Sequence, residues 1–251
     1  MKKVLIAAAS VLAISSVAQA EWDVIRAGVD VPYPPFEYRA PDGSLTGFEI
    51  ELGNAVCQEI TNRDCEWVVQ DWDGIIPGLL ARRYDMIFSS MSINEERRQR
   101  VLFSEAYYTT PSSFFVREGS DFDQENTAGK RIGVQRATIQ DTYLAEFHRD
   151  ATIVRYTTAD EVMLDLQGGR LDAMFIDFAA GEGLIESVEG VVASGETIKD
   201  PVRIFGEGVG AAFRQRDTAL AEAVNEALRK VKEDGTYDEI MYRYFDYNIK
   251  L

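Results

Sequence analysis

The chain has 251 residues, of which 46% are hydrophobic and 27% charged, as is typical of a globular protein with one large or two small domains. Its 42 acidic residues outnumber its 26 basic ones, and a net charge of −16 excludes nucleic acid as a partner, because phosphate backbones are repelled. The only histidine, His148, has no cysteine nearby and is expected on the surface, so neither a metal nor another cofactor is predicted.

Residues 1–20 have the pattern of a secretory signal peptide. Lys2-Lys3 precede an apolar run over Val4–Ile14, and Ala18-Gln19-Ala20 forms an A-x-A cleavage site. The apolar run is too short to span a bilayer. Cleavage after Ala20 therefore predicts a periplasmic protein, whose two lost lysines bring the net charge to 24 − 42 = −18.

The first half of the mature chain predicts the order β-α-β-α-β. Apolar runs alternate with segments of helical spacing, and three prolines hold an aromatic pair in a loop over Val31–Phe36. The predicted strands are Val24–Val29, Trp67–Val69 and Met86–Phe88, and the predicted helices are Phe48–Ile60 and Ile75–Leu80.

The same order of elements recurs in the second half, and part of the amino-acid sequence repeats with it. Leu79-x-x-x-Arg83-Tyr84-Asp85-Met86-Ile87-Phe88 aligns with Leu166-x-x-x-Arg170-Leu171-Asp172-Ala173-Met174-Phe175. This repetition predicts an α/β fold of two similar lobes with parallel sheets and flanking helices. The strands predicted here are Arg131–Val134, Ile153–Tyr156 and Ala173–Phe175, and the helices are Thr138–Phe147 and Asp160–Leu166.

Two extended segments are predicted to connect the lobes, Ser104–Val116 and Arg203–Ala212. The predicted domains are then 21–109 for lobe 1, 110–207 for lobe 2 and 208–251 for a tail that returns to lobe 1. Two tail helices are expected, from Asp217 or Thr218 to Asp234 and from Thr236 to Tyr244. Two crossings predict a hinged binder.

The stretch Ser89–Arg97 follows a buried strand and is a candidate anion site. Ser92 and Asn94 both suit a helix N-cap, and Glu95 fits a capping box with Ser92. Hydroxyl groups and Arg97 would then bind a carboxylate. The alternative is a capped surface helix with a solvated Arg97.

Polar and aromatic residues at other strand ends complete the candidate cleft. Asp177 would take an ammonium group or merely cap the next helix. Tyr33 and Trp72 would stack on a ligand, although Trp72 also suits core packing. Asp30 would meet a cationic side chain or cap a turn. Cys57 and Cys65 are a closely spaced pair that suggests a disulfide in an exported protein.

These motifs resemble those of the periplasmic solute-binding proteins of polar amino-acid ABC transporters (family 3), most of all the lysine/arginine/ornithine- and histidine-binding members. The resemblance covers Val24–Ile249, and its carriers are Gly28-Val29-Asp30, Tyr33-Pro34-Pro35-Phe36-Glu37, Gly47–Leu52, Asp73–Leu79, Ser89–Ile93 with Arg97, and Asp234–Tyr237. It implies a two-lobe periplasmic binding protein fold (type II), joined by two hinge strands, that closes on one L-amino acid.

The resemblance also implies roles for single residues. The α-carboxylate would be held by Ser90, Ser92 and Arg97, and the α-ammonium by Asp177. The ligand side chain would lie between Tyr33 and Trp72, with Asp30 and Ser89 at its polar end. The basic amino-acid binders share the disulfide at the positions of Cys57 and Cys65. A monomer that delivers arginine, ornithine, lysine or histidine to membrane permease subunits, without catalysis, is expected.

One loop departs from the family pattern. Ala137-Thr138-Ile139 replaces a Gly-Thr-Thr or Gly-Ser-Thr sequence, so Thr138 keeps a hydroxyl but Ile139 has none. Arg136 adds a positive charge beside the site, which makes an opine-like or acidic amino acid an alternative ligand. A periplasmic cyclohexadienyl dehydratase on the same scaffold, which needs a general acid, is a second alternative, and a ligand-sensing module of a receptor is a third.

Overall fold

The structure is a computed structural model that describes residues 22–251. The predicted signal peptide and its cleavage site lie outside these residues. Within the described part, no helix is long and apolar enough to cross a membrane. The strands are β1 (Arg26–Val29), β2 (Tyr38–Arg39), β3 (Leu45–Thr46), β4 (Glu66–Val69), β5 (Met86–Ile87), β6 (Leu102–Phe103), β7 (Ser112–Arg117), β8 (Arg131–Gln135), β9 (Thr152–Tyr156), β10 (Ala173–Asp177), β11 (Val191–Ile198) and β12 (Ala212–Phe213).

Helices cover both sheets that these strands form. Their apolar faces pack on the sheets, and their bounds are α1 (Phe48–Thr61), α2 (Trp72–Leu80), α3 (Glu95–Arg98), α4 (Ile139–Phe147), α5 (Ala159–Gln167), α6 (Phe178–Ile185), α7 (Val202–Phe205), α8 (Thr218–Glu233) and α9 (Thr236–Tyr244). The fold class predicted from the sequence, two α/β lobes with flanking helices, is confirmed.

The first sheet has the strand order β4-β1-β5-β12-β6, and the second has β11-β7-β10-β8-β9. In each sheet three strands run parallel, β4, β1 and β5 in the first and β9, β8 and β10 in the second. The two remaining strands of each sheet enter through antiparallel pairs: β12 pairs antiparallel with β5 and β6 in the first sheet, and β7 with β10 and β11 in the second. The prediction of parallel sheets is thus correct for the repeated core and wrong for these outer strands. We call the parts built on the two sheets the first and second lobe.

Two segments connect the lobes, and they hydrogen-bond to each other. The backbone N–H of Val209 donates to the carbonyl of Tyr108 at 2.8 Å, and Tyr107 donates to Val209 at 2.9 Å. The second connection was predicted as extended from Arg203, but it begins in the short helix α7. The predicted domain boundaries at 109/110 and 207/208 stay predictions.

The first lobe is sealed by the returning tail. Helix α8 presents Val224, Leu228 and Val231 to the core, and helices α8 and α9 pack on α1. On the same lobe, Cys57 of α1 and Cys65 form the expected disulfide. The tail helices begin at Thr218 and Thr236, within one residue of their predicted starts.

Candidate functional site

A cavity lies between the lobes, and residues of both lobes line it. All nine ligand-binding residues predicted from the sequence line it. They are Asp30, Tyr33, Trp72, Ser89, Ser90, Ser92, Arg97, Thr138 and Asp177. Four further residues line the same cavity, namely Glu37, Gln135, Ile139 and Gln140.

The stretch after β5 folds differently from its predicted capping box. The N-cap of α3 is Asn94, whose side chain accepts a hydrogen bond from the backbone N–H of Arg97 at 3.0 Å. Ser92 instead bridges to Val209 as a short strand pair, which leaves its side chain beside the cavity. The predicted cap of Ser92 with Glu95 is therefore wrong, because the chain continues extended for two more residues.

Arg97 is a buried cation that no acid neutralises. Its side chain donates to the carbonyl of Ser92 at 3.0 Å, and its guanidinium lies 5.2 Å from the ring centroid of Trp72. Within residues 22–251 no acidic side chain forms an ion pair with it. Burial lowers the pKa of Arg97 to about 10, because a desolvated charge is disfavoured. The solvated surface arginine of the alternative interpretation is excluded, and Arg97 places an unpaired positive charge on the lining of the cavity.

Asp177 faces the same cavity from the second lobe. It occupies the N-cap position of α6, but its carboxylate makes no capping hydrogen bond, so capping is not its role. The carboxylate accepts from Tyr33 at 2.7 Å, Gln140 at 3.0 Å and Ser112 at 3.3 Å. Burial raises the pKa of Asp177 to about 6. Because burial disfavours the charged carboxylate, a cationic partner in the cavity would stabilise Asp177.

Asp30 is the second acid in the cavity, only 7% exposed. Its backbone N–H donates to the hydroxyl of Ser89 at 3.0 Å, and its Oδ2 accepts from the amide of Gln135 at 2.7 Å. Burial, the largest cause, and neighbouring acids raise its pKa to about 6. The cavity thus holds the guanidinium of Arg97 and three carboxylates, those of Asp30, Asp177 and Glu37, and none of them has an ionic partner in the described chain.

Two more acids stand behind the serines. Glu37 accepts from Ser89 at 2.9 Å and from Ser90 at 3.1 Å, and Glu49 accepts from the Ser90 backbone N–H at 3.1 Å and from Tyr107. Ser90 has a left-handed backbone, with φ of 50°, which aims its N–H and its hydroxyl at these two acids. Burial raises the pKa of both, that of Glu49 to about 7. Both serines are therefore held in fixed orientations.

The lobes are closed over the cavity by four side-chain contacts. Two lie inside it, from Tyr33 to Asp177 and from Gln135 to Asp30. Two lie at its rim, where Trp72 donates to the Ala137 carbonyl at 3.0 Å and Arg136 donates to Asp73 at 2.6 Å. Every one of these contacts joins a residue of the first lobe to one of the second.

The divergent loop before α4 takes up this rim. Thr138 is the N-cap of α4, and its hydroxyl is occupied on both sides, as donor to Gln135 at 2.8 Å and acceptor from Asp141 at 3.1 Å. Arg136 does not line the cavity, because its charge is paired with Asp73. Ile139 lines the cavity with an apolar side chain. The positive charge expected near the ligand is thus neutralised outside it.

Three polar residues of the cavity were not predicted as site residues. Glu37 ends the family motif Tyr33-Pro34-Pro35-Phe36-Glu37, and its place in that motif is the sequence signal that could have identified it as a site residue. Gln135 ends β8, one residue beyond the predicted strand, and Gln140 lies on the first turn of α4. The described residues contain no group of three or more histidine, cysteine or acidic side chains that would hold a metal.

Two hinged lobes around a closed polar cavity define a two-lobe binding protein of the periplasmic type. The sequence pattern of the bacterial extracellular solute-binding proteins, family 3, matches residues 25–247, and the chain belongs to this family.

Relatives of known description cover almost the whole chain. The L-arginine-binding protein of Pseudomonas aeruginosa is 37% identical over 99% of this chain and 98% of its own length. The lysine/arginine/ornithine-binding periplasmic protein of Escherichia coli is 36% identical, and its histidine-binding periplasmic protein 37% identical, each over 99% of both chains.

Solved structures share the fold. An arginine-specific periplasmic binding protein of Salmonella typhimurium has a TM-score of 0.84 and 29% identity, over 88% of this chain and 99% of its own. An ancestral amino acid-binding protein, a precursor of cyclohexadienyl dehydratase, has a TM-score of 0.78 and 29% identity, over 89% and 96%.

Proposed function

We propose that this protein captures a basic L-amino acid (arginine, ornithine, lysine or histidine) outside the cytoplasm and delivers it to the permease subunits of an ABC importer. The observation that carries the proposal is the charge inventory of the cavity. One unpaired guanidinium, Arg97, shares the cavity with the unpaired carboxylates of Asp177 and Asp30. The third cavity carboxylate, Glu37, is held by hydrogen bonds from two serine hydroxyls.

A basic amino acid complements these charges one by one. Its α-carboxylate would pair with Arg97, supported by Ser92, and its α-ammonium would pair with Asp177. Both donors of Ser90 are already used, by Glu49 and Glu37, so Ser90 lines this part of the cavity without donating to the ligand. A cationic side chain would lie between Tyr33 and Trp72, with its charge at Asp30 and Ser89. A neutral amino acid would leave Asp30 buried without a partner, and an acidic one would be repelled by it.

An opine-like or acidic ligand has less support than a basic amino acid. Arg136, the charge that suggested such a ligand, pairs with Asp73 at the rim. Gln140, the residue after Ile139, donates a hydrogen bond to Asp177 at 3.0 Å. The cavity therefore carries no second unpaired cation among its described residues.

Delivery to a transporter is supported by the family and by the relatives, which are named as binding proteins. The signal-peptide pattern of residues 1–20 and the periplasmic relatives support a periplasmic location after cleavage at Ala20, where the protein is proposed to act as a monomer.

A catalytic role has less support than binding. The relatives described above are binding proteins, and the neighbour related to cyclohexadienyl dehydratase is an ancestral amino acid-binding protein. Glu37 is the one further cavity acid, and both of its oxygens accept serine hydroxyls, so it is engaged in structure. Turnover of prephenate or arogenate by the purified protein would contradict this part of the proposal.

Calorimetric titration with arginine, lysine, ornithine, histidine, glutamine and glutamate tests the assignment, after a thermal-shift screen. Basic amino acids should bind and glutamate should not. Arg97→Ala or Asp177→Ala leaves a buried charge unpaired in the complex, which costs roughly 3–5 kcal/mol, or about 150- to 5,000-fold in affinity. Arg100→Ala, an exposed arginine three residues from Arg97, is the matched control and should bind normally. Near-normal affinity of both cavity variants would refute the site.

A further inference from the structure

Gln135 donates a hydrogen bond to Asp30 across the two lobes. The orientation of the Gln135 amide is set by its two hydrogen-bond partners. Its amide nitrogen donates to Oδ2 of Asp30 at 2.7 Å and to the carbonyl of Thr157 at 3.0 Å. Both partners accept hydrogen bonds only, so the nitrogen and oxygen of the amide cannot be exchanged. The side chain is 8% exposed and lines the cavity.

This arrangement leaves two oxygens available to a ligand. Oε1 of Gln135 and Oδ1 of Asp30 receive no hydrogen bond from any side chain or backbone group in residues 22–251. The bond between Oδ2 and the amide nitrogen joins the two side chains, and both line the cavity, so the free oxygens belong to adjacent groups. They form an acceptor pair, one oxygen charged and one neutral, which we call the Asp30–Gln135 acceptor pair.

We infer that Gln135 makes this site select a guanidinium group over a primary ammonium group. The inference rests on the proposed function and narrows its ligand class from basic amino acids to arginine-like ones. A guanidinium offers several N–H donors in one plane, arranged as a fork that meets two neighbouring oxygens together. It is also weakly hydrated for a cation, so entry into a buried site costs it less than it costs an ammonium group.

The aromatic residues of the cavity favour the same group. Tyr33 and Trp72 line the cavity together with the acceptor pair. A planar guanidinium stacks on aromatic faces while its edge donates hydrogen bonds, whereas an ammonium group is a compact point charge without a face to stack. Arg97 already shows this behaviour in the protein, with its guanidinium 5.2 Å from the Trp72 ring centroid.

The competing explanation is that Gln135 only fastens the lobes. Asp30 and Gln135 belong to different lobes, so their bond exists only in the closed form. A contact that only fastens the lobes raises the affinity for every ligand by the same factor. A hydrogen-bond acceptor raises the affinity only for ligands that donate to it. Arg136→Ala, which removes a lobe contact outside the cavity, provides the comparison.

The experiment compares the affinities of arginine, lysine, ornithine and citrulline in the intact mature protein by calorimetry. The wild type should bind arginine more tightly than lysine or ornithine, and citrulline, which keeps the shape but lacks the charge, weakly. Gln135→Leu should weaken arginine binding roughly 10- to 100-fold more than lysine binding, because both ligands lose the lobe contact to Asp30 but only arginine also loses its hydrogen bond to Oε1. Arg136→Ala should leave the arginine-to-lysine ratio unchanged.

An equal loss for arginine and lysine in Gln135→Leu would overturn the inference and assign Gln135 to fastening alone, and an unchanged ratio with unchanged affinities would overturn it as well. Gln135→Asn, which retains the amide but withdraws it by one methylene, should also lose arginine preference and serves if the leucine variant fails to fold. A wild type that binds arginine and lysine equally refutes only this inference. A wild type that binds no basic amino acid refutes the proposed function.

Discussion

Replacing Arg136 by alanine removes the ion pair that joins the lobes at the rim of the cavity. The Nε of Arg136 lies 2.6 Å from Oδ2 of Asp73, and the two side chains are 41% and 39% exposed. Water and salt screen a pair of this exposure, so its contribution is about 0.2–1 kcal/mol. Because the pair forms only when the lobes are closed, we expect the whole of this free energy to appear in ligand binding.

The dissociation constant should therefore rise by about 1.4- to 5-fold, and by the same factor for every ligand. Most of the change should lie in the dissociation rate, measured by stopped-flow tryptophan fluorescence. The difference from wild type should shrink between 20 mM and 0.5 M salt, since the ion pair is screened. Asp73→Asn should behave alike, and the double variant should lose no more than either single one.

Arg170→Ala is the matched control, because its ion pair with Asp165 lies within the second lobe and should leave binding unchanged. A loss that differs between ligands would refute the reasoning, since it would place the Arg136 guanidinium in contact with the ligand. If the losses of affinity in the two single variants added up fully in the double variant, the reasoning would also be refuted, because either substitution alone already breaks the ion pair.

Three other predictions concern closure, stability and pH. A Cβ at Gly183 would lie 2.6 Å from the carbonyl of Pro34 on the other lobe, so Gly183→Ala should weaken all ligands by roughly 5- to 100-fold in calorimetry, with the melting temperature of the ligand-free protein nearly unchanged. Cys57→Ser with Cys65→Ser should lower the free energy of unfolding in urea by about 2–3 kcal/mol and leave affinity unchanged, because the bridge closes a short loop far from the cavity. Burial raises the pKa of Asp177 to about 6, so protonation on going from pH 8 to pH 5 should weaken the binding of an α-ammonium, by up to roughly tenfold per pH unit below 6. An affinity that is constant over this range, or that improves in acid, would contradict the pairing.

The repeated core and the cavity lining were accessible from the sequence because both follow from strand ends. Helix α1 was predicted over Phe48–Ile60 and ends one residue later. Ser90 and Asp177 occupy corresponding places after β5 and at the end of β10, the central strands of the two sheets. Since the carboxyl ends of parallel strands meet at one edge, polar residues found there were correctly expected to converge.

What the sequence did not reveal depends on partners distant in the chain. Arg136 was predicted to charge the ligand site, but a left-handed Ala137, with φ of 62°, precedes α4, and Asp73 on the other lobe takes the charge. The role of Gln135 could not be predicted because it depends on Asp30, a residue 105 positions away that only the fold brings into contact with it. Strand β11 (Val191–Ile198) was not predicted either, because it is a mostly exposed edge strand with little apolar pattern.

The position of β12 in the first sheet has a consequence for the order of folding. The second sheet uses strands that follow one another from β7 to β11, so its chain segment is continuous. In the first sheet, Ala212 of β12 pairs with both Ile87 and Phe103, and the whole second sheet intervenes in the chain. Until β12 arrives, β5 and β6 have no strand between them, and closing so long a loop is entropically costly. A chain that emerges from its N-terminus therefore completes its second lobe before its first.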